Sequence, residues 1–198
     1  MGKLLSNFRA TIIVSVVLAL VMAFAYYKAG SGDFPQAALR LLHVFSGILW
    51  IGLLYYFNFV QIRVMPSIPA ELKPAVSKFI APEALFWFRW SALATWVFGV
   101  GLASERHYLI QAATLDATEN FQNPQLILIG IGMWLATIMF LNVWGIIWPN
   151  QKIALGIKEA DADAKAKAAR IAMLGSRTNL LLSIPMLVTM TMSQTVFG

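Results

Sequence analysis

Five stretches nearly free of charge run through the chain, each close to the roughly 20 residues that an α-helix needs to cross the hydrocarbon of a bilayer. Thr11 to Tyr27 reads TIIVSVVLALVMAFAYY, Leu41 to Ile62 reads LLHVFSGILWIGLLYYFNFVQI, and Leu126 to Trp148 reads LILIGIGMWLATIMFLNVWGIIW. Ala84 to Ser104 is apolar apart from Arg89, and Thr178 to Phe197 reads TNLLLSIPMLVTMTMSQTVF. The first stretch is followed by Lys28 and by no small-x-small cleavage pattern, so it reads as a retained helix rather than a signal peptide. The expected fold is an all-α integral membrane protein with five transmembrane helices. They form one membrane domain over residues 1–198, with spans at about 10–28, 39–62, 84–107, 125–148 and 178–197. Composition agrees: 59% of the residues are hydrophobic and 12% charged, against about 45–50% and about 25% in an ordinary soluble domain. Disorder, collagen and coiled coil are excluded on the same figures.

Basic residues set the orientation. Lys3 and Arg9 precede span one; Arg63, Lys73 and Lys78 follow span two; Lys152, Lys158, Lys165, Lys167, Arg170 and Arg177 follow span four. These segments belong in the cytoplasm. The segment from Ser104 to Gln125 sets Glu105, Asp116 and Glu119 against Arg106 and belongs outside. Five spans then leave the N-terminus inside and the C-terminus outside. The net charge of +6 reflects inside loops and not a nucleic-acid partner. Pro66, Pro69, Pro74 and Pro82 interrupt regular helix between spans two and three, which predicts a short surface segment. The Ala-, Lys-, Asp- and Glu-rich run from Lys152 to Arg170 favours a water-exposed helix that extends span four or five.

With no Cys, disulfides, thiolate catalysis, zinc fingers and Cys-ligated iron–sulfur clusters are excluded. The two His, His43 and His107, fall at the outer ends of spans two and three. An ionisable or coordinating group within a span is a functional candidate. At helical spacing, the face of His43 continues through Gly47, Trp50 or Ile51, and Leu54. The face of span three runs through Arg89, Leu93 or Trp96, Gly99, Ala103 and His107. Gly47 and Ala103 each lie one turn inward from a histidine and leave a gap for a flat macrocycle, or for plain helix packing. Two imidazoles suffice to ligate a haem, and without Cys it is a non-covalent haem b. His43 and His107 are therefore the candidate metal ligands, and Arg89 is a candidate partner for a haem propionate or for lipid phosphates. Met186, Met190 and Met192 leave copper open, although Met is also a routine gap-filler. Trp87, Trp90, Trp144 and Trp148 read as an interfacial belt. Trp50, Trp96 and Trp134 lie deeper, as candidate pocket residues. Asn58, Asn142 and Asn179 are placed to join helices by hydrogen bonds.

Three runs carry a family resemblance: HVFSGILWIGLLYYFNFVQ from His43 to Gln61, RWSALATWVFG from Arg89 to Gly99, and NVWGIIWPNQ from Asn142 to Gln151. They resemble the N-terminal membrane domain of the cytochrome c-linked bacterial urate oxidases. Members of that family carry a cytochrome c domain; this chain has no Cys-x-x-Cys-His motif. More distantly, His43, Trp50, Gly52, Leu54 and Tyr55, with Ala94 to Gly99 and Asn179 to Pro185, resemble the bacterial haem-binding membrane protoporphyrinogen oxidases. That likeness implies a four-helix haem-binding core made of spans two to five, one added N-terminal helix, and haem b at His43. Of that family's basic residues near its first span, only Arg63 has a match here. Both resemblances imply a bacterial inner membrane.

The reading that follows is a haem b membrane electron-transfer protein or a subunit of a larger redox complex, partnered by other membrane subunits or a cytochrome c. The segment Glu105 to Glu119 is a docking surface for a basic cytochrome c, steered by charge. The alternatives are a membrane oxidase acting on urate or a porphyrinogen, and a cofactor-free accessory subunit. Few ionisable groups lie within the spans and no inverted repeat is visible, which argues against a transporter.

Overall fold

The computed structural model describes residues 2–30 and 33–197, without the side chains of Tyr26, Lys28 and Ala29. Lys28, which the sequence puts at the outer end of span one, therefore has its side chain outside the described residues. Among the described residues, five helices are long and apolar enough to cross a membrane: Phe8–Ala25, Phe34–Ser67, Lys73–Glu105, Pro124–Ala154 and Ala162–Thr195. The protein is a membrane-spanning all-α chain, as its apolar runs require. It divides into two compact units, Met1–Ala38 and Leu39–Gly198.

In the first unit, α1 (Phe8–Ala29) is capped by Asn7, whose side chain accepts from the Ala10 amide and so satisfies one of the four free N–H groups at a helix start. The second unit is built from most of α2 (Phe34–Tyr55), α3 (Ala81–Glu105), the short α4 (Leu109–Ala113), α5 (Pro124–Asn142), α6 (Trp148–Ala154) and α7 (Ala162–Thr195). Its apolar core comes from four helices. Trp50 and Leu54 on α2, Phe88 and Ala92 on α3, Met139 on α5 and Met186 on α7 pack together. Large apolar side chains also face outward, including Phe45, Ile48, Leu181 and Ile184. An apolar surface of that extent is what a bundle embedded in lipid presents.

Three π-helical turns, Tyr56–Gln61, Val76–Ile80 and Val143–Ile147, precede prolines. Pro82 and Pro149 each follow two residues after such a turn, and Pro66 sits in the 3-10 turn Met65–Ser67 beyond the first. A proline inside a helix has no N–H to give, and its ring collides with the carbonyl four residues back. Widening the turn, so that Ala81 bonds Val76 and Trp148 bonds Val143, moves that carbonyl aside and lets the helix continue. The predicted surface segment between spans two and three is thus largely helical: Lys73–Glu105 is one continuous helix, despite Pro74 and Pro82. The predicted helix from Lys152 to Arg170 is interrupted: residues 155–161 are not helical, with Gly156 at φ 75°, and the run is helical only from Ala162, where it continues into the fifth span as α7.

Asn58, Asn142 and Asn179 join the helices, as expected. Asn142 Nδ2 donates to Gly175 O at 2.8 Å and to Asn179 Oδ1 at 2.7 Å, and Asn179 Nδ2 donates to Met139 O at 3.0 Å. Asn58 Nδ2 donates to Ser176 Oγ at 2.9 Å. Each such bond within a membrane bundle contributes on the order of 0.6–2 kcal/mol.

Candidate functional site

His43 lies half-buried on α2 against α3. Its Nδ1 is 2.9 Å from the carbonyl oxygen of Thr95. A carbonyl can only accept, so in the neutral ring Nδ1 carries the proton and Nε2 keeps its lone pair. The Thr95 hydroxyl does not compete, because it donates back to Ser91 O at 2.7 Å. Among the described residues Nε2 has no hydrogen-bond partner. An imidazole whose Nδ1–H is held by a backbone carbonyl, with Nε2 free, is oriented as metal-ligating histidines are.

Small residues make this contact. A Cβ at Gly99 would come within 2.9 Å of both Cε1 and Nδ1 of His43, a Cβ at Gly47 would lie 3.7 Å from Thr95 Cγ2, and one at Gly101 would lie 3.4 Å from Leu39. Gly99 is therefore required by the imidazole, whereas Gly47 leaves only ordinary clearance. Gly99→Ala is expected to dislodge the ring and break the bond to Thr95, an interaction worth about 0.5–1.5 kcal/mol. Nitrogen NMR of the labelled imidazole would read this as loss of the single Nδ1–H tautomer; an unchanged tautomer would refute the cradle.

The other predicted site residues separate. Trp50 lies two turns from His43 on the same helix and is 1% exposed. The buried Nε1 atoms of Trp50 and Trp144 lack a hydrogen-bond partner, as do the buried Asn58 Oδ1 and Gln61 Oε1. Trp96 is engaged by α5, donating to Thr137 Oγ1 at 3.1 Å and stacking on Phe140 at 5.2 Å. Trp134 lines no deep pocket: it is exposed and donates to Ala113 O at 2.9 Å, tying α4 to α5. Ala103 is buried, and its carbonyl accepts from the Tyr108 amide at 3.1 Å where the chain reverses.

His107 does not continue the α3 face. The helix ends at Glu105, and His107 is exposed in the left-handed region, with φ 58°. The reason lies in the chain reversal, where the His107 amide bonds Ser104 O at 2.9 Å. A helix that stops two residues earlier cannot carry the imidazole on its apolar face. Arg89 is also not brought to His43. It sits six residues before Thr95, about 9 Å along the helix, and its guanidinium lies 3.9 Å from the centre of the Trp148 ring, a cation–π contact. Among the described residues no three His, Asp or Glu side chains gather as a metal-binding group.

Sequence reading found His43 and Gly99 but not Thr95, which acts through its main-chain oxygen and so carries no side-chain signature. Of the three carboxylates in the segment from Glu105 to Glu119, one is buried. Asp116 is 1% exposed, and its Oδ2 accepts from the Asn123 amide at 2.8 Å.

No curated protein and no solved structure matches the chain. Of the three runs quoted for their family resemblance, the one from Asn142 to Gln151 lies within 107–196, and the His43 and Arg89 runs lie outside it. Over residues 107–196 the chain matches the family described as Urate oxidase N-terminal, so this membrane-embedded all-α protein is similar to that family across α4, α5, α6 and α7.

Proposed function

We propose that the chain is the membrane part of an oxidase acting on urate, with a haem b held by His43. The similarity over 107–196 carries the substrate. The cofactor rests on His43: the Thr95 carbonyl holds its proton on Nδ1 and leaves Nε2 as a ligand nitrogen, and Gly99 leaves room for the ring. When bound, the haem supplies one-electron exchange at its iron. With no Cys in the chain, it is held without thioether bonds. His107, exposed beyond the end of α3, is left out of the ligand set of this proposal.

Urate loses two electrons on oxidation, and these leave singly to a carrier such as a cytochrome c. The distribution of basic residues supports a cytoplasmic N-terminus and an α3–α5 connection on the outside, and the proposed setting is a bacterial inner membrane. Glu105 and Glu119 in that connection, both exposed, favour a basic carrier. Spans two to five form the haem-binding core of this proposal and α1 is the addition.

The test is detergent-purified protein supplied with haem, urate and oxidised cytochrome c. A Soret band and urate-dependent reduction of the cytochrome are expected. A haem-loaded protein that leaves urate unchanged would be the electron-transfer subunit instead. A colourless protein that cannot be reconstituted would rule out the haem.

A further inference from the structure

Two cavities flank Leu126 at the His43 end of the second unit, and their chemistry differs. The larger, about 490 Å³, is lined by Asp116 and Glu119 with no cationic side chain, so it repels an anion. The smaller, a cleft of about 90 Å³, is lined by Arg106, Tyr108, Gln125 and Gln194, with Leu126 and Ile129 as its apolar wall. No carboxylate lines it. Among the described residues Arg106 forms no ion pair; its guanidinium lies 5.9 Å from the Tyr108 ring. The side-chain amides of Gln125 and Gln194 and the Tyr108 hydroxyl likewise make no hydrogen bonds within the described residues.

We propose that this cleft is where the chain binds its substrate, as a small planar heterocyclic anion of the urate class. The inference rests on the proposed oxidase function and adds the site. Urate at neutral pH is a flat, singly charged ring with N–H donors and carbonyl acceptors on its edges. Arg106 supplies the charge and a planar fork of donors, and each glutamine amide supplies both a donor and an acceptor. Leu126 and Ile129 offer an apolar face to the ring.

Three further observations agree. Every lining residue except Arg106 lies within 107–196, so the two ends of the segment similar to the urate oxidase family meet in this cleft. Burial pushes the Tyr108 phenol up, while the positive charges of Arg106 and Arg40 pull it down, so the phenol at the cleft lies in a positive field. Arg106 follows Gly99 by seven residues, about 10 Å along the helix direction, which puts the cleft at the His43 end of α3.

The experiment is equilibrium dialysis of urate against the full chain in detergent at neutral pH, with hypoxanthine as a planar uncharged comparison and inorganic phosphate as a non-planar anion. Wild-type protein is expected to bind urate at least tenfold tighter than either. Arg106→Gln and Gln125→Leu should each weaken urate binding about tenfold, with Arg106→Lys intermediate and the visible spectrum and unfolding temperature unchanged. Wild-type binding that survives both substitutions would overturn the cleft and leave the oxidase function standing. Equal binding of phosphate and urate would reduce the site to a general anion site and overturn the proposal. Absence of urate binding and of urate oxidation in the wild type would overturn both.

Discussion

His43→Ala protein is expected to purify without haem and to resist reconstitution, losing the whole of the wild-type Soret absorbance. The size of the effect follows from the lack of substitutes. The chain has no Cys, and its other histidine, His107, is exposed beyond the end of α3. Nε2 of His43 is the imidazole nitrogen whose orientation is set inside the bundle, through the 2.9 Å bond from Nδ1 to Thr95 O. Removing the ring removes the ligand and leaves the α2–α3 contact at Gly99 partly empty. The helices should still pack, because Trp50, Leu54 and Phe88 bury the core further along. Helix content by circular dichroism should therefore match the wild type, which separates ligand loss from misfolding. His107→Ala should keep the wild-type spectrum. Haem retained by His43→Ala but lost by His107→Ala would reverse the assignment.

Gly130→Ala should cause the largest loss of stability among single methyl additions. A Cβ on Gly130 would run into the backbone carbonyl of Ala112, and Leu115 Cδ2 lies 2.9 Å from the same point. The carbonyl has little freedom to retreat. It accepts from the Leu115 amide at 3.0 Å, Ala112 is fully buried, and the next carbonyl, of Ala113, is held by Trp134 Nε1 at 2.9 Å. Overpacking of this kind costs about 1–3 kcal/mol, and more where backbone must shift. For a chain of this size each kcal/mol lowers the unfolding temperature by about 2–4 °C. Gly145→Ala is the control, since nothing lies within 4 Å of its added methyl. Thermal unfolding in detergent would compare the two; equal midpoints would contradict the close approach of α4 to α5. Because α4 follows Arg106 and Tyr108, urate binding in the cleft should weaken with Gly130→Ala as well.

The five spans were legible because their cause is local. A charge-poor run of sufficient length must be helical in lipid, whatever surrounds it. The same holds for the helix that starts at Asp161, whose side chain accepts from the Ala164 amide at 2.7 Å, and for the asparagines, since a buried carboxamide in a bundle must find a partner. His43 stood out for a similar reason, as an imidazole within a span. The prolines misled, because the chain answers Pro82 and Pro149 by widening a turn rather than by ending the helix, and nothing local distinguishes the two answers.

What lay beyond the sequence was which particular groups meet when two helices pack. The Thr95 carbonyl became a partner of His43 only when α2 and α3 were brought side by side. Arg89 was assigned to Trp148, and Trp96 to Thr137 and Phe140, by the register between α3 and the helices from Pro124 to Ala154. His107 left the α3 face because the chain reverses there, a matter of φ at one residue. The cleft joins residues 106–108, the start of α5 and the end of α7, segments up to 88 positions apart. Hydrophobic periodicity specifies which face of a helix is buried; which polar groups then meet is set by the relative translation and rotation of packed helices, which no single segment encodes.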